Sequence, residues 1–197
     1  DVVASRGLGD VYKRQPGYKP TTEPNPKMVQ QASSLIKKSK KPILYVGGGI
    51  IHSKANNELF ELATKFNIPV VTTLMGRGAF PDGHELCLEM PGMHGNYTAT
   101  TSIQNADLLI AIGVRFDDRV TANPSFFAQN AKVIHADIDP AEIGKVRDAQ
   151  VPIVGDAKSV IKGLIEALGD EKLDTENWVS ELKEMKTEFP LLSLIHI

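Results

Sequence analysis

Five short apolar runs recur along this chain, and segments with helical periodicity separate them. The runs hold four to six residues each and lie at residues 42–46, 68–73, 108–112, 132–136 and 151–154. Their length fits buried strands, and segments such as 29–36 and 59–66 carry apolar residues at helical spacing. We expect Asn25 to cap the first of these helices, with Pro26 at its first position, and Ser53 to cap the second. Two further helices are expected, one at residues 97–105 and a short one after Pro140 that runs through Ile143. This alternation predicts an α/β fold with a doubly wound, mainly parallel sheet and helices on both faces.

The carboxyl ends of these strands are expected to meet at one edge of the sheet. Right-handed crossovers put every strand end there, and open α/β sheets bind ligands at that edge. A proline in the last run, Pro152, predicts that this strand is the outermost one. The turns that we expect at the ligand edge are residues 47–49, 72–78, 113–120, 137–139 and 155–157.

A charged cluster follows the third run directly. After Gly113 come Arg115, Asp117, Asp118 and Arg119. A solvated loop with internal ion pairs is the simplest explanation for such a cluster. Its position after a glycine at the end of a buried strand favours a ligand-binding loop instead.

Composition narrows the class of protein. The chain has 197 residues, is 42% hydrophobic and 23% charged, and carries a net charge of −2. That charge gives no electrostatic footprint for nucleic acid or an anionic membrane. The single cysteine, Cys87, excludes an internal disulfide, and no Cys/His cluster has metal-ligand spacing. No apolar run approaches the roughly 20 residues of a membrane span, so we expect a cytoplasmic protein.

The two ends do not continue the pattern of the segments beside them. Residues 1–15 and 192–197 resemble translated adaptor sequence, and we expect a non-native leader and tail there. A genuine flexible arm is the alternative. Because the chain does not begin with methionine, we expect a fragment. Between the ends we expect a linker at 16–26, a nucleotide-binding domain at 27–169, and an interdomain linker and helix at 170–191.

The three glycines 47–49 after the first strand predict a place where backbone N–H groups approach a phosphate. A tight turn explains them equally well. They do not form the GxGxxG fingerprint, and the second strand ends in Thr72 and Thr73 without a carboxylate for a ribose. Both observations argue against an ordinary dehydrogenase domain.

Two carboxylates stand at the ends of the last two strands. Asp137 and Asp156 are placed to accept hydrogen bonds from a ribose hydroxyl and an adenine amine, although capping explains Asp139 and Asp156 as well. Arg115 or Arg119 would neutralise a pyrophosphate. The sequence therefore predicts an ADP-containing ligand along the sheet edge.

The remaining reactive side chains suggest no catalytic set. His94 is interpreted as a loop residue with a structural hydrogen bond, and His135 as a core residue. Cys87 has no basic neighbour in sequence to lower its pKa and is interpreted as an apolar filler.

Several motifs in order resemble one family. GVRFDDRVT (113–121), PGMHG (91–95), VVTTLMGRGAFP (70–81), YVGGGI (45–50) and ADIDPAEIGK (136–145) are similar to the central, Rossmann-like domain of acetolactate synthases. These are thiamine-diphosphate-dependent transferases of branched-chain amino-acid biosynthesis, and the resemblance covers about residues 16–191. GxRFDDR together with PGMHG separates this family from pyruvate decarboxylases and oxalyl-CoA decarboxylases.

The resemblance implies a three-domain catalytic subunit whose middle domain holds FAD. The outer, N- and C-terminal domains bind thiamine diphosphate and Mg²⁺ and carry the activating glutamate and the metal motif. The full enzyme is expected to condense two pyruvates, or pyruvate and 2-oxobutyrate, as a homo-oligomer with a regulatory small subunit. We expect this chain, the middle domain alone, to be inactive and to hold no metal or catalytic residue.

The resemblance also implies the residues of the FAD site. They are Gly47, Gly48, Gly49, Thr73, Leu74, Met75, Gly92, Met93, His94, Gly113, Val114, Arg115, Asp117, Arg119, Val120, Asp137, Ile138, Asp156 and Ala157. Asp118 and Arg119 resemble residues beside the substrate channel, where inhibitors bind. Asp137 stands where the family often has glutamate, a shorter reach to the ribose. The alternatives are the central domain of another thiamine-dependent carboligase or pyruvate oxidase, or a stand-alone nucleotide-binding module.

Overall fold

The computed structural model describes residues 19–191 as one α/β sheet with helices on both faces. The strands are β1 (Pro42–Val46), β2 (Val70–Thr72), β3 (Leu108–Ile112), β4 (Lys132–Asp137) and β5 (Val151–Val154). The helices are α1 (Pro26–Ile36), α2 (Gly48–His52), α3 (Asn56–Phe66), α4 (Tyr97–Asn105), α5 (Asp118–Thr121), α6 (Ala157–Leu168) and α7 (Glu176–Glu188). Two 3₁₀ turns lie at Leu74–Gly76 and Pro124–Phe126.

The sheet is parallel in all four of its strand pairs, in the order β2-β1-β3-β4-β5. This confirms the predicted fold class and the outermost position of the strand that contains Pro152. On the opposite side, residues 86–89 run along the outer edge of β2. The amide of Val70 donates to Leu86 O (2.8 Å), and Leu88 N donates back to Val70 O (2.9 Å).

The strands β1 and β3 are buried along their whole length because helices cover both faces of the sheet. One face packs against α1, α3 and α6 through Ile36, Leu62 and Leu164. The other packs against α4 and α7, with Ile103 and Trp178 in its core. Strands covered on both faces read as continuous apolar runs, which is why the sequence reveals them.

Helix α7 returns to the start of the sheet. Trp178 is 2% exposed, and its indole N–H donates to the carbonyl oxygen of Pro42 in β1 (3.2 Å). The ammonium of Lys41 lies 4.7 Å from the centroid of the same ring and pairs with Glu181 (2.9 Å). This helix therefore packs on the sheet, while the predicted domain limits at 27 and 169 stay predictions.

The ends of the helices follow local sequence signals, with two exceptions. Asn25 caps α1 through a bond from Lys27 N, with Pro26 in the first turn, as predicted. The expectation that Ser53 caps the next helix is wrong, because β1 leads directly into α2 and Ser53 ends that short helix. The helix expected to run through Ile143 is also wrong, because residues 140–144 form turns that reach Gly144 with φ +77°.

The predicted leader at 1–15 and tail at 192–197 lie outside the described residues. Between residues 19 and 191, every helix is too short or too polar to cross a bilayer.

Candidate functional site

Two cavities lie side by side at the carboxyl edge of the sheet. The wide cavity, of about 630 Å³, is bounded by the ends of β1, β4 and β5. The narrow cavity, of about 280 Å³, lies between the ends of β1, β2 and β3. Gly48, Met75, Gly113 and Arg115 line both, so the two cavities adjoin at these four residues.

The cavities contain sixteen of the nineteen residues predicted for the cofactor. Those in the wide cavity are Gly48, Gly49, Met75, Gly113, Arg115, Asp137, Ile138, Asp156 and Ala157. Those in the narrow cavity are Gly47, Gly48, Thr73, Leu74, Met75, Gly113, Val114, Arg115, Asp117, Arg119 and Val120. The topology thus brings together residues from the ends of all five strands.

The three glycines after β1 have different structural roles. Gly47 and Gly49 contact the end of β3 and the turn that follows it. Gly49 N donates to Gly113 O (3.2 Å), and Gly47 N donates to Ile112 O (3.1 Å). A Cβ on Gly49 would lie 2.6 Å from the Cα of Gly113. The close approach of two loops therefore explains these two glycines, whereas a Cβ on Gly48 would meet Met75 at an ordinary 3.4 Å. Gly48 is the one of the three that borders both cavities.

Phe116 anchors the charged loop from below. Its side chain is 1% exposed, and its backbone adopts φ +52°, which is rare for a bulky residue. The ring packs between Tyr45 (5.6 Å between centroids) and His135 (5.0 Å), above the small Ala111 of the intervening strand. Because this ring points inward, the charged residues on either side of it stay at the cavity rim.

The charged loop divides into a cavity side and a solvent side. Asp117 caps α5 by accepting from Arg119 N (3.0 Å). This hydrogen bond is the largest cause that holds the pKa of Asp117 below its usual range. A side-chain hydrogen bond with Asp118 and the positive charges of Arg115 and Arg119 act in the same direction. Asp118 pairs with the side chain of Arg119 at 3.8 Å, with both side chains largely in solvent. That pair is weak, so the Arg119 side chain is available to a ligand.

Arg115 supplies the cation at the junction of the cavities. It is exposed, and within residues 19–191 it makes no ion pair shorter than 4 Å. A guanidinium in this position suits a diphosphate, whose oxygens it can bind in pairs.

Carboxylates line the far side of the wide cavity. Asp137 accepts from Asp139 N (2.9 Å), Asp139 accepts from Ala141 N (2.9 Å), and Asp156 caps α6 through Lys158 N (3.0 Å). Helix capping, the alternative considered for both residues, is therefore real for Asp156, whereas Asp139 accepts a bond from a turn because residues 140–144 form no helix. Each of these bonds uses one carboxylate oxygen, and in the described part of the chain the second oxygen has no hydrogen-bond partner, so it can accept from a ligand hydroxyl or amine.

The PGMHG loop lies next to the narrow cavity without lining it. Met93 N donates to Arg119 O (3.1 Å), and a Cβ on Gly92 would lie 2.6 Å from the same oxygen. Met93 is 69% exposed, and His94 is exposed beside it. Three predicted cofactor residues, Gly92, Met93 and His94, therefore lie beside residues that line the narrow cavity but do not line it themselves. The same is true of Asp118.

Two residues interpreted as structural are buried. His135 is 0% exposed, and its Nε2 lies 2.8 Å from Val114 O. A carbonyl only accepts, so Nε2 carries the proton and Nδ1 does not. Burial lowers the pKa of His135 and raises the pKa of the Cys87 thiol, which is also 0% exposed. Cys87 is therefore an inert core residue, as the sequence predicts.

Sequence reasoning missed five cavity residues: Tyr45, His52, Ser53, Ala136 and Glu142. His52 and Ser53 follow Gly48 by about one helical turn, and a helix starting at Gly48 would have placed them at the cavity. Tyr45 reads as one more apolar strand residue. Glu142 pairs with Lys145 (2.9 Å) in the turns that the sequence predicted as helix.

Comparisons with known proteins agree with one another. The family model described as thiamine pyrophosphate enzyme, central domain, matches residues 29–164. The chain is 54% identical over 180 residues to acetolactate synthase of Mycobacterium avium, which covers 89% of this chain and 29% of that protein. It is 53% identical over 178 residues to the acetolactate synthase large subunit of Corynebacterium glutamicum, covering 89% of this chain and 28% of that subunit.

The likeness extends to archaea. A probable acetolactate synthase large subunit of Methanocaldococcus jannaschii is 51% identical over 172 residues, or 87% of this chain and 29% of that protein. The chain thus spans less than a third of the length of the curated relatives that it matches.

Proposed function

We propose, since this chain belongs to the thiamine pyrophosphate enzyme family and matches its central domain, that it is the FAD-binding middle domain of an acetolactate synthase large subunit. The names of its relatives support the enzyme, and the sheet edge supports the cofactor. The observation that carries the proposal is the pair of cavities that meet at Gly48, Gly113 and Arg115, with carboxylates at one end and a cation at the junction.

The residues present fit an ADP-containing cofactor. The wide cavity has a volume within the usual range of ligand sites. In this proposal, Asp137 binds the ribose and Asp156 the adenine through their free carboxylate oxygens. Arg115 binds the pyrophosphate beside Gly48, where the missing side chain leaves room. The flavin half then extends into the narrow cavity.

Activity is assigned to the full-length protein. Thiamine diphosphate supplies the carbanion chemistry when it is bound, and it belongs with Mg²⁺ to the domains on either side. The residues described here orient the flavin cofactor and take no proton from a substrate. The condensation of two pyruvates, or of pyruvate and 2-oxobutyrate, is proposed for the whole enzyme. The cytoplasmic location, the homo-oligomer and the regulatory small subunit are proposed with it.

Binding of FAD to the 197-residue chain tests the proposal. We expect FAD fluorescence to be quenched saturably and ADP to compete. Asp156→Asn removes the carboxylate charge but keeps the helix cap, because asparagine caps as well as aspartate. Losing a hydrogen bond to a charged group should weaken both FAD and ADP about tenfold or more, while the thermal midpoint without ligand stays close to that of the wild type.

The matched control is Asp170→Asn. Asp170 lies outside both cavities with its side chain 99% exposed, so this variant should bind FAD and ADP like the wild type. A folded wild-type chain that does not quench FAD contradicts the proposed cofactor site in this domain.

A further inference from the structure

The hydroxyl of Tyr45 is buried without a hydrogen-bond partner. Tyr45 is the next-to-last residue of β1 and is 0% exposed. Within residues 19–191 its oxygen has no donor or acceptor in reach. Buried phenolic hydroxyls normally have a partner, because an unsatisfied one costs free energy. An unsatisfied hydroxyl in a well-packed core therefore suggests that a bound ligand supplies the missing acceptor.

Tyr45 lines the narrow cavity. Phe116 packs against one side of its ring, with 5.6 Å between the centroids. Asp117 lines the same cavity and is close enough for its charge, added to the larger effect of burial, to raise the pKa of Tyr45. The hydroxyl of Tyr45 therefore remains a neutral donor in the wall of a cavity that Asp117 also lines.

Among residues 19–191, no other residue that lines the narrow cavity accepts a hydrogen bond from the Tyr45 hydroxyl. Asp117 accepts from Arg119 N rather than from Tyr45. The cavity wall also contains four apolar side chains, those of Leu74, Met75, Val114 and Val120. The narrow cavity thus combines an apolar wall with one buried hydroxyl donor and two arginines, Arg115 and Arg119, that are exposed. This combination suits a flat, apolar group that carries an acceptor atom.

We propose that the Tyr45 hydroxyl donates a hydrogen bond to an acceptor atom in the flavin half of bound FAD and so positions that half in the narrow cavity. The inference rests on the proposed function. The free carboxylates assign the adenosine half to the wide cavity, and Arg115 at the junction takes the pyrophosphate. The remaining half of the molecule, with its hydroxyl and ring carbonyl oxygens, is the part that reaches Tyr45.

The test compares FAD with ADP on Tyr45→Phe. This variant keeps the ring and removes only the oxygen. We expect the Kd of FAD to rise about three- to tenfold, the effect of one neutral hydrogen bond. The Kd of ADP, which lacks the flavin half, should not change. Equal weakening of both ligands would overturn the assignment of Tyr45 to the flavin half.

The stability of the free protein separates positioning from a structural role. Because the hydroxyl has no partner among residues 19–191, Tyr45→Phe should melt at or above the wild-type midpoint without ligand, yet gain less from added FAD. A lower midpoint without ligand, with FAD affinity unchanged, would mean that the hydroxyl serves the fold and would overturn the proposal.

Tyr97→Phe is the matched control. Tyr97 is 54% exposed and lines neither cavity, so the same loss of oxygen there should leave both ligands unaffected. Failure of the wild-type chain to bind FAD would contradict the proposed function and this inference together. Normal binding by both wild type and Tyr45→Phe would contradict this inference alone.

Discussion

Gly49 and Gly113 bring the turns after β1 and β3 together without side chains between them. The amide of Gly49 donates to Gly113 O, and Gly113 N donates in turn to Ala136 O (2.8 Å) in β4. Gly113 itself has φ +60°, a conformation that glycine adopts without strain. Three strand ends are thus tied to one another at the junction of the two cavities.

Gly49→Ala should therefore destabilise the fold. The new Cβ would lie 2.6 Å from the Cα of Gly113, and both loops would have to shift. We expect a loss of about 1–3 kcal/mol in the free energy of unfolding, measured by urea denaturation. Gly83→Ala is the control, because a Cβ there meets nothing within 4 Å and φ is not positive. Equal stability of the two variants would contradict the contact.

At this scale the sequence predicts identities better than roles. It predicted that the backbone of residues 47–49 approaches a phosphate or forms a tight turn. At Gly47 and Gly49 the neighbouring group is the turn after β3, and both residues also line a cavity. Asp156 both caps a helix and borders the wide cavity, so the two interpretations were not exclusive. Tyr45 was missed because a strand pattern says which face a residue is on and not whether its polar tip finds a partner.

The strand β4 holds the charged loop in place through His135. The Nε2–H of His135 donates to Val114 O, and the ring packs edge-on against Phe116. Nδ1 is buried without a partner among the described residues. A second proton would place a charge in a buried position. The carboxylates of Asp137 and Glu142 offset only part of that cost, so burial depresses the pKa of His135.

Stability should consequently fall as the pH drops below the usual histidine range. Because the folded pKa is lower than the unfolded one, the unfolded chain takes up a proton first. The stabilisation is complete above about pH 6.5 and declines toward the folded pKa, by about 1 kcal/mol between pH 7 and pH 5.5. Chemical denaturation at the two pH values measures this.

His135→Gln is the matched variant, since its amide can donate to Val114 O and does not titrate in this range. Its stability should fall less than that of the wild type over the same interval. An equal fall in both proteins would assign the pH dependence to other groups.

Elements were predicted well where burial on both faces makes a strand wholly apolar. The strand Leu108–Ile112 and the helix Tyr97–Asn105 match their predicted limits. Errors occur where the chain turns. Ser53 looked like a cap because serine caps helices, but Lys54 adopts φ +54° after it and α3 starts only at Asn56. Such turns depend on contacts between distant loops that no local pattern contains.

At the scale of the whole molecule, both faces of the sheet are closed while its carboxyl edge stays open. Leu74 and Met75 are each 70% exposed at the narrow cavity. Among residues 19–191, no group of three or more acidic, His or Cys side chains is placed to hold a metal ion. In the proposed function, this open edge holds the flavin cofactor and the thiamine chemistry belongs to the neighbouring domains.

We accordingly expect the isolated chain to form no acetolactate. Pyruvate, thiamine diphosphate, Mg²⁺ and FAD would be supplied, and acetolactate would be measured after its conversion to acetoin. A full-length acetolactate synthase in the same assay shows that the conditions support turnover. Product that increases with the concentration of this chain would contradict the assignment of catalysis to the neighbouring domains.

Both outer edges of the sheet are unsuited to pairing with another chain. Residues 86–89 already occupy the backbone groups along β2, and Pro152 leaves β5 without one N–H donor. Exposed strand edges recruit strands from other molecules, a common route to aggregation. We therefore expect copies of the domain to remain separate at high concentration, without joining through their sheet edges.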